Sequence, residues 1–215
     1  MENAYGLEIP SILEEVCDPR RLALLVYDMQ VGILNQLPDP GPVVARVRAV
    51  LDAARAGGYR VFFSRHLSLP KEAAGVAQLR QAMAWQRVTR VADVHTWFER
   101  DSPSFPVADA LAPLPTEVVF DKITMSAFEG TLLNIALRDC GIQAIALVGV
   151  ALEVGIEPTV RHAADLGYIP VVVTDACGGR DTVAMERSLA GLAFAGDSLF
   201  TDSATLSALL RRTAG

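Results

Sequence analysis

The sequence predicts an α/β protein in which a mostly parallel, six-stranded sheet lies between two layers of helices. Short apolar runs, partly β-branched, alternate about six times with segments of helical periodicity. Several of these runs are continuous rather than alternating, which is typical of strands covered on both faces. Glycines follow several of the predicted helices, as expected at helix ends. Together these observations indicate a three-layer α/β/α, Rossmann-like fold.

The first half of the chain supplies two strands and a long helix. Residues 22–27 are almost wholly apolar and end at Asp28, which predicts a central parallel strand. A helix is predicted to start near Pro42, and residues 60–64 predict a second strand that leads to His66. The apolar face of the helix consists of Val43, Val47, Val50, Leu51 and Ala54.

Residues 67–116 interrupt this alternation. They contain both tryptophans, Trp85 and Trp97, several prolines and mixed charges without a clear period. We expect a helical excursion with loops that covers one side of a pocket, within a single domain of residues 1–215. A surface insertion with ordinary packing aromatics is the alternative.

The second half resumes the strand and helix alternation. Ser126 and Glu129 have the spacing of a capping box, which predicts that a helix starts at Ser126. The predicted strands are 117–121, 144–151, 170–174 and 198–200, and the predicted helices are 126–139, 155–166, 183–195 and a last one that ends at Arg212.

The turn after residues 144–151 is the most informative stretch. Pro158 is compatible only with the first turn of a helix, so the helix is predicted to begin near Gly155. A helix N-terminus at the end of a parallel strand presents unpaired N–H groups and a positive dipole end, so we expect an anion or oxyanion site there. Asp28 and Lys122 also follow strands, and all three positions can converge on one crevice.

Composition excludes several functions. The chain has 215 residues, 51% of them hydrophobic and 20% charged, and a net charge of −6, so no nucleic-acid partner is expected. No apolar run has the length of a membrane span, and the N-terminus lacks a basic start, so we expect a cytoplasmic protein. Dinucleotide and P-loop glycine motifs are missing from the sequence, the histidines lack i,i+4 spacing, and the three cysteines form no CxxC pair. We therefore expect no cofactor, no metal and reduced thiols.

Three separated motifs carry a family resemblance. They are Asp28-Met29-Gln30, Lys122 with the run 126–131, and residues 149–168 with Thr174-Asp175-Ala176-Cys177 after them. On these residues the chain resembles the isochorismatase-like hydrolases, or cysteine hydrolases, which include nicotinamidases and carbamoylsarcosine amidases. The resemblance implies the isochorismatase-like fold, a homodimer or homotetramer, and a hydrolase activity.

The resemblance also assigns the catalytic positions. Asp28 and Lys122 match two members of an Asp-Lys-Cys triad, and Gly155 stands where most members have the nucleophilic cysteine. The peptide bond between Val150 and Ala151 is expected to be cis, as is typical of the family. Because Ser64 stands where nicotinamidases have a metal-binding aspartate, a metal at His66 is not expected.

Glycine cannot form a thioester, so three readings stay open. Isochorismatases proper also lack the cysteine: the aspartate protonates the enol carbon of a vinyl ether, and Gly155 would leave room for the substrate. Alternatively, Asp28 acts as a base on water that attacks an amide, or the chain is a non-catalytic relative. We expect a small, anionic substrate, which the following residues contact: Gln30, His66, Trp85, Phe128, Ala151 and Leu152.

Overall fold

The computed structural model describes residues 1–212; residues 213–215, which the predicted domain includes, lie outside the described part. The strands are β1 (Glu2–Ala4), β2 (Leu7–Ile9), β3 (Leu22–Tyr27), β4 (Arg60–His66), β5 (Val118–Lys122), β6 (Ala144–Val150), β7 (Ile169–Gly178) and β8 (Leu199–Thr201). The helices are α1 (Leu13–Val16), α2 (Val31–Leu34), α3 (Gly41–Ala56), α4 (Val76–Gln86), α5 (Leu133–Asp139), α6 (Glu157–Asp165), α7 (Thr182–Ala195) and α8 (Ser203–Arg212).

The central sheet has six parallel strands in the order β5-β4-β3-β6-β7-β8. The chain starts in the middle at β3, moves outward through β4 to the β5 edge, and returns to pair β6 with the other side of β3. The strand order therefore reverses between β3 and β6, and a crevice is expected at their carboxyl ends. Asp28 follows β3 there, and the Gly155 turn follows β6.

Two hydrophobic clusters cover the two faces of the sheet. On one face, Leu22, Leu24 and Val26 pack with residues of α3 and α8. On the other face, Leu25 and Tyr27 pack with residues of α5, α6 and α7. Since neighbouring strand residues point to opposite faces, this alternation sends the Tyr27 side chain toward α6. The predicted three-layer α/β/α architecture is confirmed.

The helix predicted from Ser126 is shorter than expected, because α5 begins at Leu133. The Ser126 hydroxyl accepts from the Phe128 N–H instead of capping a helix, and the Ala127 N–H donates to the Thr159 side chain at 3.0 Å. These bonds engage backbone groups that a helix would use itself. The capping box was therefore a wrong interpretation.

Strand β7 and the N-terminus also differ from expectation. β7 continues to Gly178, so Cys177 lies inside the strand rather than after it, and the pairing with β6 shifts between Leu147 and Gly149. Residues 2–9, where no strand was predicted, form the two-stranded antiparallel hairpin β1-β2. In residues 67–116 the structure has α4 and short 3₁₀ turns. No helix within residues 1–212 combines the length and apolarity that a membrane crossing requires.

Candidate functional site

Asp28 and Lys122 form a buried ion pair at the carboxyl ends of the strands. The Lys122 Nζ donates to Asp28 Oδ2 at 2.7 Å, and the Ser64 hydroxyl donates to Asp28 Oδ1 at 2.6 Å. The two side chains are only 5% and 0% exposed. Because both carboxylate oxygens accept from donors in a water-poor setting, the pair is held in one geometry.

The backbone sets this geometry. Asp28 has φ +46°, in the left-handed region that aspartate and asparagine tolerate better than most residues. This conformation ends β3, and the Asp28 N–H donates to the Ser64 carbonyl at 3.2 Å. Lys122, at the end of β5, also donates to the Thr124 carbonyl, and its Nζ lies 4.4 Å from the centre of the Tyr27 ring. Three neighbouring strands thus supply the charges and their supports.

The turn after β6 is a π-helical turn, Leu152–Ile156, which leads into α6. The Val150–Ala151 peptide is cis, as the resemblance implies. The N–H groups of Val154, Gly155 and Ile156 donate to the Ala151 carbonyl at 3.3, 2.9 and 3.1 Å. These three N–H groups are therefore not among the unpaired donors expected for an oxyanion, because the tight winding of the turn directs them to one carbonyl.

The Tyr27 side chain fills the space beside Gly155. A Cβ atom built on Gly155 would overlap the phenol oxygen and ring carbons of Tyr27. The expectation that Gly155 leaves room for a substrate is therefore wrong: the room is filled by a core side chain from the adjacent strand. Close approach of β3 and β6 also requires glycine at Gly149, which has φ +129° and would place a Cβ against the Tyr27 backbone.

Tyr27 is the residue of this site that the sequence did not suggest. Its hydroxyl donates to the Met125 carbonyl and is also a hydrogen-bond partner of Thr159, whose own hydroxyl donates to the Gly155 carbonyl at 2.6 Å. Burial, and secondly the Asp28 charge, raise the pKa of the Tyr27 phenol well above its usual value. The neutral phenol thus ties the end of β3 to the Gly155 turn. A tyrosine as the last residue of an apolar run, directly before Asp28, was the only signal in the sequence.

His66 lies between the ion pair and an open cavity. Burial lowers the pKa of its imidazole to about 4, with Asp28 and Lys122 making smaller opposing contributions, so the ring is neutral at pH 7. Gln30 holds the His66 backbone: its Oε1 accepts from the His66 N–H at 2.6 Å, and its Nε2 donates to the His66 and Phe105 carbonyls. The Gln30 amide is therefore occupied by backbone groups.

Of the six residues predicted to contact the substrate, only two line the cavity. It lies between α4 and the 94–98 segment, and His66 and Trp85 both line it. Gln30 and Leu152 are fully buried outside its wall. Phe128 stacks on Tyr168 with ring centres 5.7 Å apart, and Ala151 packs against the core. The side chains of Gln30, Phe128 and Leu152 are buried and that of Ala151 is partly buried, and substrate contact by these four stays a prediction.

Other candidate chemistry is limited within residues 1–212. No group of three or more His, Cys, Asp or Glu side chains there has the arrangement of a metal site. The cysteines are free thiols, and burial raises the pKa of both Cys17 and Cys177 to about 12. Neutral, buried thiols are poor nucleophiles, so Cys17 and Cys177 do not offer a nucleophile for this site.

Comparison with known proteins identifies the family. The Isochorismatase domain model matches residues 22–203. Ureidoacrylate amidohydrolase RutB of Methylobacterium radiotolerans is 29% identical over 187 residues, which cover 80% of this chain and 72% of that protein.

Solved structures of the same family resemble this chain. An isochorismatase family protein of Burkholderia thailandensis is 31% identical with a TM-score of 0.72, covering 89% of this chain and 96% of that one. A cysteine hydrolase of Pseudomonas syringae pv. phaseolicola is 24% identical with a TM-score of 0.77, covering 91% and 95%. The fold, the buried Asp28–Lys122 pair and the match over most of the chain lead to one conclusion: this chain belongs to the isochorismatase family and is a hydrolase of that family with glycine at position 155.

Proposed function

We propose that this chain hydrolyses a vinyl ether without a covalent intermediate, with Asp28 as the acid and Lys122 as its proton partner. One observation carries the proposal. The nucleophile position has no side chain and no room for one, because Tyr27 fills it, whereas the Asp28–Lys122 pair is intact at 2.7 Å. Acid catalysis of a vinyl ether needs neither a nucleophile nor an oxyanion site, and the N–H groups of Val154, Gly155 and Ile156 are already bonded to the Ala151 carbonyl.

The chemistry uses one proton held by the pair. Lys122 passes a proton to Asp28, and Asp28 delivers it to the enol carbon, which converts the C=C bond into a C–H bond and an oxocarbenium ion. Water adds to that cation and returns its proton to the pair. The resulting hemiketal breaks its C–O bond to release an alcohol and a ketone. The pair begins and ends neutral overall, which suits a buried site because no net charge is created in it.

The substrate reaches this pair from the cavity, past His66. The neutral His66 ring borders the cavity on one side and lies close enough to Asp28 and Lys122 for both charges to influence its pKa. His66 is paired in register with Lys122 on the neighbouring strand. In the proposal, movement of this one ring connects the open compartment to the acid.

Hydrolysis of a C–N bond is the second candidate. It is favoured by the similarity to ureidoacrylate amidohydrolases, which are 29% identical to this chain. Here Asp28 would act as a base on water, since both of its oxygens accept hydrogen bonds as a carboxylate does. This reaction creates an anionic tetrahedral intermediate, for which the Gly155 turn offers no unpaired N–H among Val154, Gly155 and Ile156.

Hydrolysis in D₂O separates the two chemistries. The purified chain is incubated with isochorismate and with a panel of ureido and amide compounds, and products are analysed by NMR and mass spectrometry. If the acid delivers its proton to carbon, the ketone product formed in D₂O contains one C–D bond from the solvent. Amide hydrolysis places no deuteron on carbon.

Asp28→Asn is the variant that tests Asp28 as the acid. Asparagine tolerates φ +46°, so the backbone is kept while the acid is lost, and turnover should fall about 10²–10⁴-fold. Release of ammonia from an amide without carbon deuteration would replace the proposal by the second candidate. Ligand binding without any turnover would identify a non-catalytic relative.

A further inference from the structure

We infer that Thr159 is a positioning residue for the reaction at Asp28, because its hydroxyl group holds two of the groups that surround the Lys122 ammonium. Thr159 lies in α6 and is fully buried. Its importance for the chemistry rests on the proposed function, in which Lys122 supplies the proton. Its hold on Lys122 does not depend on that function.

The Thr159 hydroxyl joins three segments that are distant in the sequence. It donates to the Gly155 carbonyl at 2.6 Å, in the turn after β6, and it accepts from the Ala127 N–H at 3.0 Å, in the loop after β5. It is also a hydrogen-bond partner of the Tyr27 phenol at the end of β3. Because a hydroxyl group has one proton and two lone pairs, these bonds use its whole capacity.

In the described part of the chain, the Lys122 ammonium has three close neighbours. Its Nζ donates to Asp28 Oδ2 at 2.7 Å and to the Thr124 carbonyl at 3.1 Å. The third neighbour is the Tyr27 ring, whose centre lies 4.4 Å from Nζ. A buried ammonium has lost its water and depends on such partners, and an aromatic face attracts a cation. The place of Nζ is therefore set by Asp28, Thr124 and Tyr27 together.

Thr159 holds the first of these neighbours, the Tyr27 ring, through the phenol. The Tyr27 hydroxyl bonds to Thr159 and donates to the Met125 carbonyl. Since the far end of the side chain is fixed in this way, the ring cannot swing away from the Lys122 ammonium.

Thr159 holds the second neighbour, the Thr124 carbonyl, through the loop that contains it. The Thr124 hydroxyl donates to the Ser126 carbonyl at 3.0 Å, and the next residue, Ala127, donates its N–H to Thr159. The loop between Lys122 and Ala127 is thus fastened to α6 at one point. Without the hydroxyl group, the Ala127 N–H would be buried without its acceptor, and the loop would have to move to satisfy it.

Thr159→Val tests the catalytic consequence, because valine keeps the shape of the side chain and removes the hydroxyl group. With a hydrolysed compound, we expect kcat to fall about tenfold, since a small displacement of a reacting group is costly. KM should change by less than about twofold, because no substrate contact is removed. Thr159→Ser keeps the hydroxyl group and should restore kcat.

Lysine acetylation measures the position of Lys122 without any turnover. The chain has two lysines, Lys71 and Lys122. Lys122 is buried and Lys71 is partly exposed, so Lys71 is an internal reference. The full chain is treated briefly with acetic anhydride, and both sites are quantified by mass spectrometry. Thr159→Val should raise acetylation of Lys122 relative to Lys71 several-fold, and Thr159→Ser should not.

Thr174→Val is the matched control for lost stability. The Thr174 hydroxyl donates to the Thr201 carbonyl at 3.1 Å, between β7 and β8, at the opposite edge of the sheet from Lys122. This variant should leave both kcat and acetylation of Lys122 unchanged. The inference is overturned if Thr174→Val and Thr159→Val have equal effects, or if Thr159→Val leaves kcat or acetylation of Lys122 unchanged.

Tyr27→Phe tests the same link if Thr159→Val does not fold. Phenylalanine keeps the ring beside Lys122 and removes the phenol oxygen that Thr159 holds. Acetylation of Lys122 should rise, and an unchanged rate would overturn the inference. If the unaltered chain hydrolyses no compound, the proposed function fails, and the acetylation of Lys122 alone then decides whether Thr159 holds this side chain.

Discussion

The crevice at the ends of β3 and β6 and the cavity under α4 are neighbours with opposite character. In the crevice, Asp28, Lys122 and Tyr27 are buried, and their polar atoms are bonded to protein groups. In the cavity, Trp85 and Trp97 remain partly open to solvent, and none of the α4 residues is buried.

The difference separates catalytic preorganisation from ligand recognition. Groups that hold a proton in a fixed geometry profit from a dry, packed site, whereas a surface that receives a ligand must be accessible before binding. His66 is the residue shared by both regions. Variants of the crevice and of His66 test this difference.

Removing one charge of the crevice should have the largest effect on stability. Lys122→Met leaves the Asp28 carboxylate buried without its cation, and we expect the free energy of unfolding to fall by about 3–5 kcal/mol in denaturant titrations. The double variant Asp28→Asn/Lys122→Met should recover a large part of this loss.

The exposed pair Arg48–Asp52 provides a control in α3. Arg48→Met should change stability by less than about 0.5 kcal/mol, because exposed i,i+4 pairs contribute little. If Lys122→Met is as mild as Arg48→Met, the crevice is more open to water than its burial indicates, and the contrast between the two regions fails.

Filling the position at Gly155 should have the next largest effect. Gly155→Ala places a methyl group on the Tyr27 phenol, and overpacking of this kind costs about 3 kcal/mol. Gly75→Ala is the matched control, because a Cβ at Gly75 meets open space beside α4. Thermal unfolding of both variants measures the difference, and equal melting temperatures would show that Tyr27 yields easily.

Gly155→Cys extends the same comparison to chemistry. Since Tyr27 occupies the space of the side chain, the new thiol should not give amide hydrolysis by itself. Rapid alkylation of that thiol together with amidase activity would contradict the assignment of Tyr27 as the residue that closes this position.

Substitution of His66, which borders both regions, should have a smaller effect on stability, and this effect should depend on pH. Its folded pKa of about 4 lies below the unfolded value of about 6.5, so between these values only the unfolded chain binds the proton. Stability from His66 is therefore complete above pH 6.5 and is lost progressively as the pH falls toward 4. His66→Gln should flatten this part of the stability profile, and exposed His95→Gln should not. If both variants leave the profile of stability against pH unchanged, the loss of stability does not come from burial of the His66 ring.

The sequence predicted the centre of the sheet well because the two central strands are fully covered. The runs that became β3 and β6 are continuous apolar segments in which every residue is buried, and such segments have few alternatives in a protein of this size. Prediction of α5 failed at its start because Ser126 and Ala127 bond to distant residues, the Ser126 hydroxyl to His162 and the Ala127 N–H to Thr159. Such long-range bonds leave no local pattern.

The same reason limited prediction of the site. Asp28, Lys122 and Gly155 could be placed at one edge of the sheet from their positions after strands. Tyr27 could not be identified, because its importance lies in a contact with a residue more than a hundred positions away. Gln30 was expected to contact substrate, but its amide is used by the backbones of His66 and Phe105, which only the fold brings together.

The strand order has a consequence for how the chain assembles during synthesis. Strands β3, β4 and β5 all precede residue 123, so the first part of the sheet and both charges of the Asp28–Lys122 pair can form before β6 is made. Until β6 arrives, the inner edge of β3 has no neighbour, although in the finished sheet it is central. We expect this half-sheet to be the state most prone to pairing with other chains. Tyr27 reaches its final surroundings only when the Gly155 turn docks, so the crevice closes late in folding.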